Sequence, residues 1–257
     1  MSRLDWNVIF KLPEPALTGN RRIPKSVLVR QASLTKTEQR ILNKVNRLEH
    51  FATVQKSTTR IPSFVDNEHD VQSIILLRCE MASKNMALTE VAVLIHKCFQ
   101  NPTVLLLEAD RYIGISVALT RKSLAERGVT VIDRIETTGT FDPDRSEYAD
   151  FLGAMAFGRL SQGDLWEYLL DLSHAIALSR AIDGLGFYPK CPAQDRKKLI
   201  ALMSRYDELG ASVKRLKEQR RSKDVTLNES AKLRIKMGKE EQRLQSIVAE
   251  IKEICNG

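Results

Sequence analysis

A chain of 257 residues, 43% of them hydrophobic, is long enough to bury the core of one large domain or two small ones. No run approaches the ~18 apolar residues of a membrane span, and the opening "MSRLDWNVIFKLPEP" mixes charges and prolines where a secretory signal needs an uninterrupted apolar stretch. A cytoplasmic protein without membrane contact is expected. The net charge of +8 is unevenly spread: residues 21–60 hold ten Lys and Arg against two acids, residues 61–189 eleven against eighteen, and residues 190–257 seventeen against ten. Two basic ends flanking an acidic middle can steer those ends toward a polyanion.

Pro13, Pro15 and Gly19 make the first twenty residues an irregular or extended arm. Pro24 pushes Ile23 out of the helical region, so "TGNRRIPK" reads as extended or turning backbone. In "SLTKTEQRILNKVNRLEHFA" the spacing predicts one helix capped by Thr35 or Thr37, with Ile41, Val45 and Leu48 as its buried stripe. On that helix Lys36, Arg40, Lys44 and Arg47 fall within about 80° of arc as a basic ridge. Residues 52–70 read as loop.

"VQSIILLRCE" suits a buried strand, "LTEVAVLIHKCF" an amphipathic helix capped by Thr89, and "NPTVLLLEAD", "YIGISVALTRK" and "GVTVIDRIETT" three further strands with a turn at Asp110. The order strand, helix, strand, strand, strand implies an α+β fold: a small, mainly antiparallel sheet flanked by helices, with one side covered. "FDPDRSEYADFLGAMAFG" and "SQGDLWEYLLDLSHAIALSRAI" read as two helices, the second capped by Ser161. Gly184, Gly186, Pro189 and Pro192 mark a boundary, giving a basic arm and helix over 1–60 packed with the core, an α+β core over 61–189 and a tail over 193–257.

The tail is the most periodic segment. Leu199, Leu202, Tyr206, Leu209, Val213 and Leu216 follow a heptad rhythm, "RRSKDVT" interrupts it, and Leu233, Met237, Leu244, Ile247, Ile251 and Ile254 resume it, with only Glu240 spoiling the seam. Thr226 and Glu229 form a capping-box pattern at the restart. An antiparallel coiled-coil hairpin is predicted, completed by one chain alone or by pairing with a second copy, and its apolar seam is the expected partner interface.

Chemistry is sparse. Cys79, Cys98, Cys191 and Cys255 stand far apart, and so do the four histidines, so no disulfide framework, zinc knuckle or other metal site is expected, and no cofactor. Neither a phosphate-cradling glycine loop nor a nucleophile elbow is present; "GISVA" at 114–118 lacks the second glycine. The nearest catalytic pattern is that of a magnesium-dependent nuclease using Asp110 and Lys122, but Thr120 stands where the second carboxylate belongs. Glu80, Glu108 or Glu136 would substitute only if the fold converged them. The basic set Arg21, Arg22, Lys25, Lys36, Arg40, Lys44 and Arg47, with only Glu38 and Glu49 among it, points to binding of nucleic acid or an acidic partner without base-specific readout. Aromatic content of 6% gives no stacking platform.

At "GNRRIPK", "NPTVLLLEADRYIGISVALTRKS", "GVTVIDRIETT" and the charged helical hairpin, the sequence resembles an uncharacterised prokaryotic domain-of-unknown-function family encoded beside superfamily 2 helicases and DNA methyltransferases in anti-phage defence islands. The resemblance implies an Ile-Pro-Lys segment followed by a basic helix, a central strand hairpin and a closing coiled coil. It brings no catalytic residues. The expectation it leaves is a non-enzymatic accessory subunit of a DNA-targeting complex with a helicase or methyltransferase as partner; the alternatives are a divergent nuclease and a purely structural dimeric scaffold.

Overall fold

The computed structural model describes residues 4–82, 88–126, 128–191, 193–222 and 226–256. Two compact units divide the chain, Met1–Arg180 and Ala181–Gly257.

The first unit opens with α1 (Trp6–Phe10), capped by Asp5, whose carboxylate accepts from the Asn7 amide at 2.9 Å. A six-stranded sheet follows in the order β1-β2-β5-β6-β7-β8, with β1 (Leu17–Arg22) at one edge. Helices α2 (Lys25–Gln31) and α3 (Lys36–Leu42) lie between β1 and β2 (Val45–Gln55) in sequence. Then come the turn α4 (Lys56–Thr59), a small hairpin of β3 (Phe64–Val65) and β4 (Asp70–Val71), and β5 (Ser73–Met81). Helix α5 (Leu88–Lys97) crosses from β5 to β6 (Thr103–Ala109), which pairs parallel to β5. The strands β7 (Tyr112–Lys122) and β8 (Thr130–Thr137) complete an antiparallel meander. After them α6 (Ala149–Ala154) sits between two 3-10 turns, Ser146–Tyr148 and Phe157–Arg159, and α7 (Leu165–Ser179) packs along β7 and β8.

The α+β class stands, with four antiparallel pairings and one parallel, so the sheet is mixed. One face holds Leu77, Cys79, Leu105 and Leu107 against Val91 and Ile95 of α5 and Leu28 of α2. The alternate residues Ile74, Leu76, Val104, Leu106, Ile115 and Val117 are also fully buried, so both faces of the central strands are covered rather than one.

The largest departure from expectation is the stretch after Ser33. Thr35 caps α3 with a complete capping box to Glu38, but the helix stops at Leu42 and Val45 begins a strand. Consequently Lys36 and Arg40 lie on a helix, Lys44 in the turn and Arg47 on β2, and the continuous ridge does not exist. Residues 52–70 are not simply loop, since β2 runs to Gln55 and β3 and β4 pair. Thr89 lies inside α5. Asp164, not Ser161, caps α7, accepting from the Glu167 amide at 2.8 Å, while the Ser161 hydroxyl donates to the Glu167 carboxylate at 2.7 Å. The segment expected as the preceding helix holds only the short α6, set among two 3-10 turns and irregular chain.

The second unit contains α8 (Ile182–Leu185), closed by Gly186 at φ 77°, and two long helices, α9 (Arg196–Arg221) and α10 (Leu227–Asn256), packed along one another. Leu199, Leu202, Val213 and Leu216 of α9 and Ile247 and Ile251 of α10 are buried. Tyr206, Leu209, Leu233, Met237, Leu244 and Ile254 are half-buried. The Thr226 hydroxyl and amide both donate to the Glu229 carboxylate, at 2.8 and 3.0 Å.

Candidate functional site

The strands β2 and β5 each carry Arg-x-Glu, Arg47 to Glu49 and Arg78 to Glu80. Paired antiparallel, the two motifs set Arg47 opposite Glu80 and Glu49 opposite Arg78. Directly paired residues share a face. The register extends the row, with Arg22 of β1 opposite Glu49 and Glu80 opposite Glu108 of β6. Six charges, three of each sign, thus occupy one face of four adjacent strands.

Within this row Glu49 is 1% exposed and its carboxylate lies 2.5 Å from the Arg47 guanidinium. Arg78, buried in the middle of the sheet, donates to Glu108 Oε2 at 2.6 Å. The Trp6 indole N–H of α1 donates to the other oxygen, Oε1. Such charges are costly to bury and are kept there by mutual pairing. At the carboxyl ends of β5 and β6 the row opens into a cleft of about 780 Å³, lined by Asp5, Asn46, Glu80, Asp110, Arg111 and Asp144 among others. The mouth at the ends of parallel strands is a common ligand position.

The fold therefore converges Glu80, Glu108 and Asp110, and leaves Glu136 elsewhere, on β8 with Arg134 and Arg180. It does not bring Asp110 and Lys122 together. They stand at opposite ends of β7, more than about 30 Å apart at ~3.3 Å per residue. Asp110 takes φ 57° at the first central position of the two-residue β6–β7 hairpin turn. Lys122 donates to the Asp66 carbonyl at 2.6 Å and ties the end of β7 to the small hairpin. Both oxygens of Glu108 are engaged, and among the described residues no three His, Cys, Asp or Glu side chains group to hold a metal ion.

The N-terminal cations divide between two surroundings. Arg21 and Arg22 are exposed on the edge strand β1, and Lys36 and Arg40 are exposed on α3. Lys25, half-buried, begins α2 after Pro24. Lys44 pairs with Glu90 at 3.4 Å, and Arg47 with Glu49. Glu38 is held by Lys97 at 2.7 Å and by the Thr35 amide and hydroxyl, which bring its carboxyl down to about 2. Both acids of residues 21–60 are thus already committed.

The fold and site define a mixed-sheet α+β protein with a charged row across one sheet face and a long helix pair. The family model for the domain of unknown function DUF4391 matches residues 10–244, and the chain belongs to that family. No curated protein and no solved structure matches it. Among the described residues no helix is long and apolar enough to cross a membrane.

Proposed function

We propose that the chain is a non-catalytic accessory subunit of a cytoplasmic, prokaryotic DNA-targeting defence or restriction-like complex. It contacts nucleic acid through Arg21, Arg22, Lys36 and Arg40. The observation that carries the reading is the fate of the two nearby carboxylates: Glu38 is spent on Lys97 and a helix cap, Glu49 is buried with Arg47, and the four exposed cations keep their charge for an outside phosphate. A non-catalytic role fits a Glu108 with both oxygens bonded and an Asp110 and Lys122 at opposite strand ends. The gene neighbourhood implied by the family resemblance supports the defence setting. A helicase, a methyltransferase or a second copy would meet the helix pair on its outer surface, where Ile200 is exposed.

The test is binding of a duplex of about 30 base pairs at low salt. Arg21→Glu with Arg22→Glu, and separately Lys36→Glu with Arg40→Glu, should each weaken the full chain's affinity about tenfold or more and flatten its salt dependence. Unchanged affinity in both variants removes the N-terminal contact.

A further inference from the structure

The second unit carries its charge at one place. The last turns of α9, residues 214–221, and the first turns of α10, residues 227–239, hold nine Lys and Arg against two Asp and Glu. Residues 181–213 hold five against four, and residues 240–257 two against four. A helix pair whose charges served only solvation would spread them along its length. Here they gather at the end where the chain passes from α9 to α10.

The two charged segments lie side by side. Lys217 of α9 reaches Glu241 of α10 at 3.4 Å, which sets the C-terminal end of α9 beside the N-terminal part of α10. At 100° per residue Lys214, Lys217 and Arg221 form one stripe about 60° wide on α9, and Lys232, Lys236 and Lys239 another on α10. All six are exposed. Of the acids, Glu229 is consumed by the Thr226 cap.

We infer that this end of the helix pair is a phosphate-backbone contact for double-helical nucleic acid. The ligand class follows from what accompanies the charge. Residues 207–257 contain no Phe, Tyr or Trp, so unpaired bases find no ring to stack on, and single strands are the poorer ligand. A protein interface needs a cluster of apolar or aromatic anchors at its centre, and among the described residues of this segment Ile235 is a single exposed large hydrophobic, not a cluster. Dense Lys and Arg without such a cluster match a duplex backbone, where counterion release supplies the affinity. The contact goes beyond the N-terminal one and uses a different unit of the chain.

The experiment measures anisotropy of a labelled duplex of about 30 base pairs with the full chain, across a salt series. Two tip variants are compared, Lys214→Glu/Lys217→Glu/Arg221→Glu and the milder Lys232→Gln/Lys236→Gln/Lys239→Gln, with Lys197→Gln/Lys198→Gln near the start of α9 as control. Each tip variant should lose about tenfold or more in affinity and lower the log–log salt slope by about one per lost phosphate contact, while the control changes little. Circular dichroism must show unchanged helix content, and the glutamine variant keeps the test valid where charge reversal disturbs the pair. Tip variants that bind like the wild type overturn the inference, as does equal loss in the control. Tip-dependent capture of polyglutamate with no binding of duplex would reassign the surface to an acidic protein and overturn it too. Loss in the Arg21/Arg22 variant with intact tip-dependence, or the reverse, separates failure of one contact from failure of the other.

Discussion

His96 shows how a single buried side chain fixes its own protonation. The Ser116 hydroxyl, 3.1 Å from the Glu136 carbonyl, spends its one proton there and accepts from the imidazole Nε2–H at 2.9 Å. The other ring nitrogen, Nδ1, then accepts from the Thr103 hydroxyl at 2.5 Å. A neutral ring satisfies all three groups, a charged one does not, and burial pushes the pKa down to about 3. An unfolded histidine takes up its proton near pH 6.5, so between roughly 6.5 and 3 the unfolded chain binds more protons than the folded one. Stability from this group therefore falls as pH falls through that window, by up to about 1.4 kcal/mol per pH unit. His96→Gln should cost about 1–3 kcal/mol at neutral pH in urea unfolding. Its gap to the wild type should narrow steadily toward pH 4. A gap that stays constant would show that the histidine titrates normally in the folded chain.

Elements were legible where their periodicity was undisturbed. The segments "VLLLEA", "YIGISVALTRK" and "TVIDRIET" are short apolar runs rich in Val, Ile, Leu and Thr, bounded by turn residues, and appear as β6, β7 and β8. The strand β2 opens with helical spacing for a physical reason. Its register slips between Val45 and Arg47 and again between His50 and Ala52, and each such bulge adds one residue to the inward spacing. Inward Val45 and Leu48, opposite Met81 and Cys79 on one face, are thereby three apart, and with Ile41 four residues before Val45 they repeat the period of a helix. The charged row was hidden for a related reason, since the Arg-x-Glu pair has meaning only once β2 and β5 are known to be antiparallel partners. The strand–helix–strand order did contain the parallel crossover. Heptads were the easiest to read, because long helices packed along one another repeat their contacts every seven residues.

The row also makes an element-level prediction, because Glu108 joins α1, β5 and β6 through Trp6 and Arg78. Removing one charge leaves its buried partner unpaired, so Arg78→Met and Glu108→Leu should each destabilise by about 3–5 kcal/mol. The double replacement should cost well below their sum, by at least ~1 kcal/mol in a urea-unfolding cycle. Strict additivity would mean that the two side chains do not interact.

At the scale of the whole molecule, the two units carry separable reporters. Trp6 and Trp166, and all four histidines, belong to the unit Met1–Arg180, whereas Ala181–Gly257 contributes two helices of 26 and 30 residues and no tryptophan. Tryptophan emission therefore follows the sheet unit, and far-ultraviolet circular dichroism draws heavily on the helix pair. Val213 is 6% exposed at the seam of α9. An aspartate there would bury an unpaired charge or drive the helices apart, at a cost of several kcal/mol. Because each unit buries its own apolar core, Val213→Asp should lower the thermal midpoint seen by circular dichroism by about 5 °C or more. The tryptophan midpoint should move by less than ~1 °C, and the two probes, no longer coincident, would report separate transitions. The converse variant, His96→Gln, should shift the tryptophan transition and spare the second helical one. A common shift of both probes by either substitution would show that the sheet and the helix pair unfold as one cooperative body.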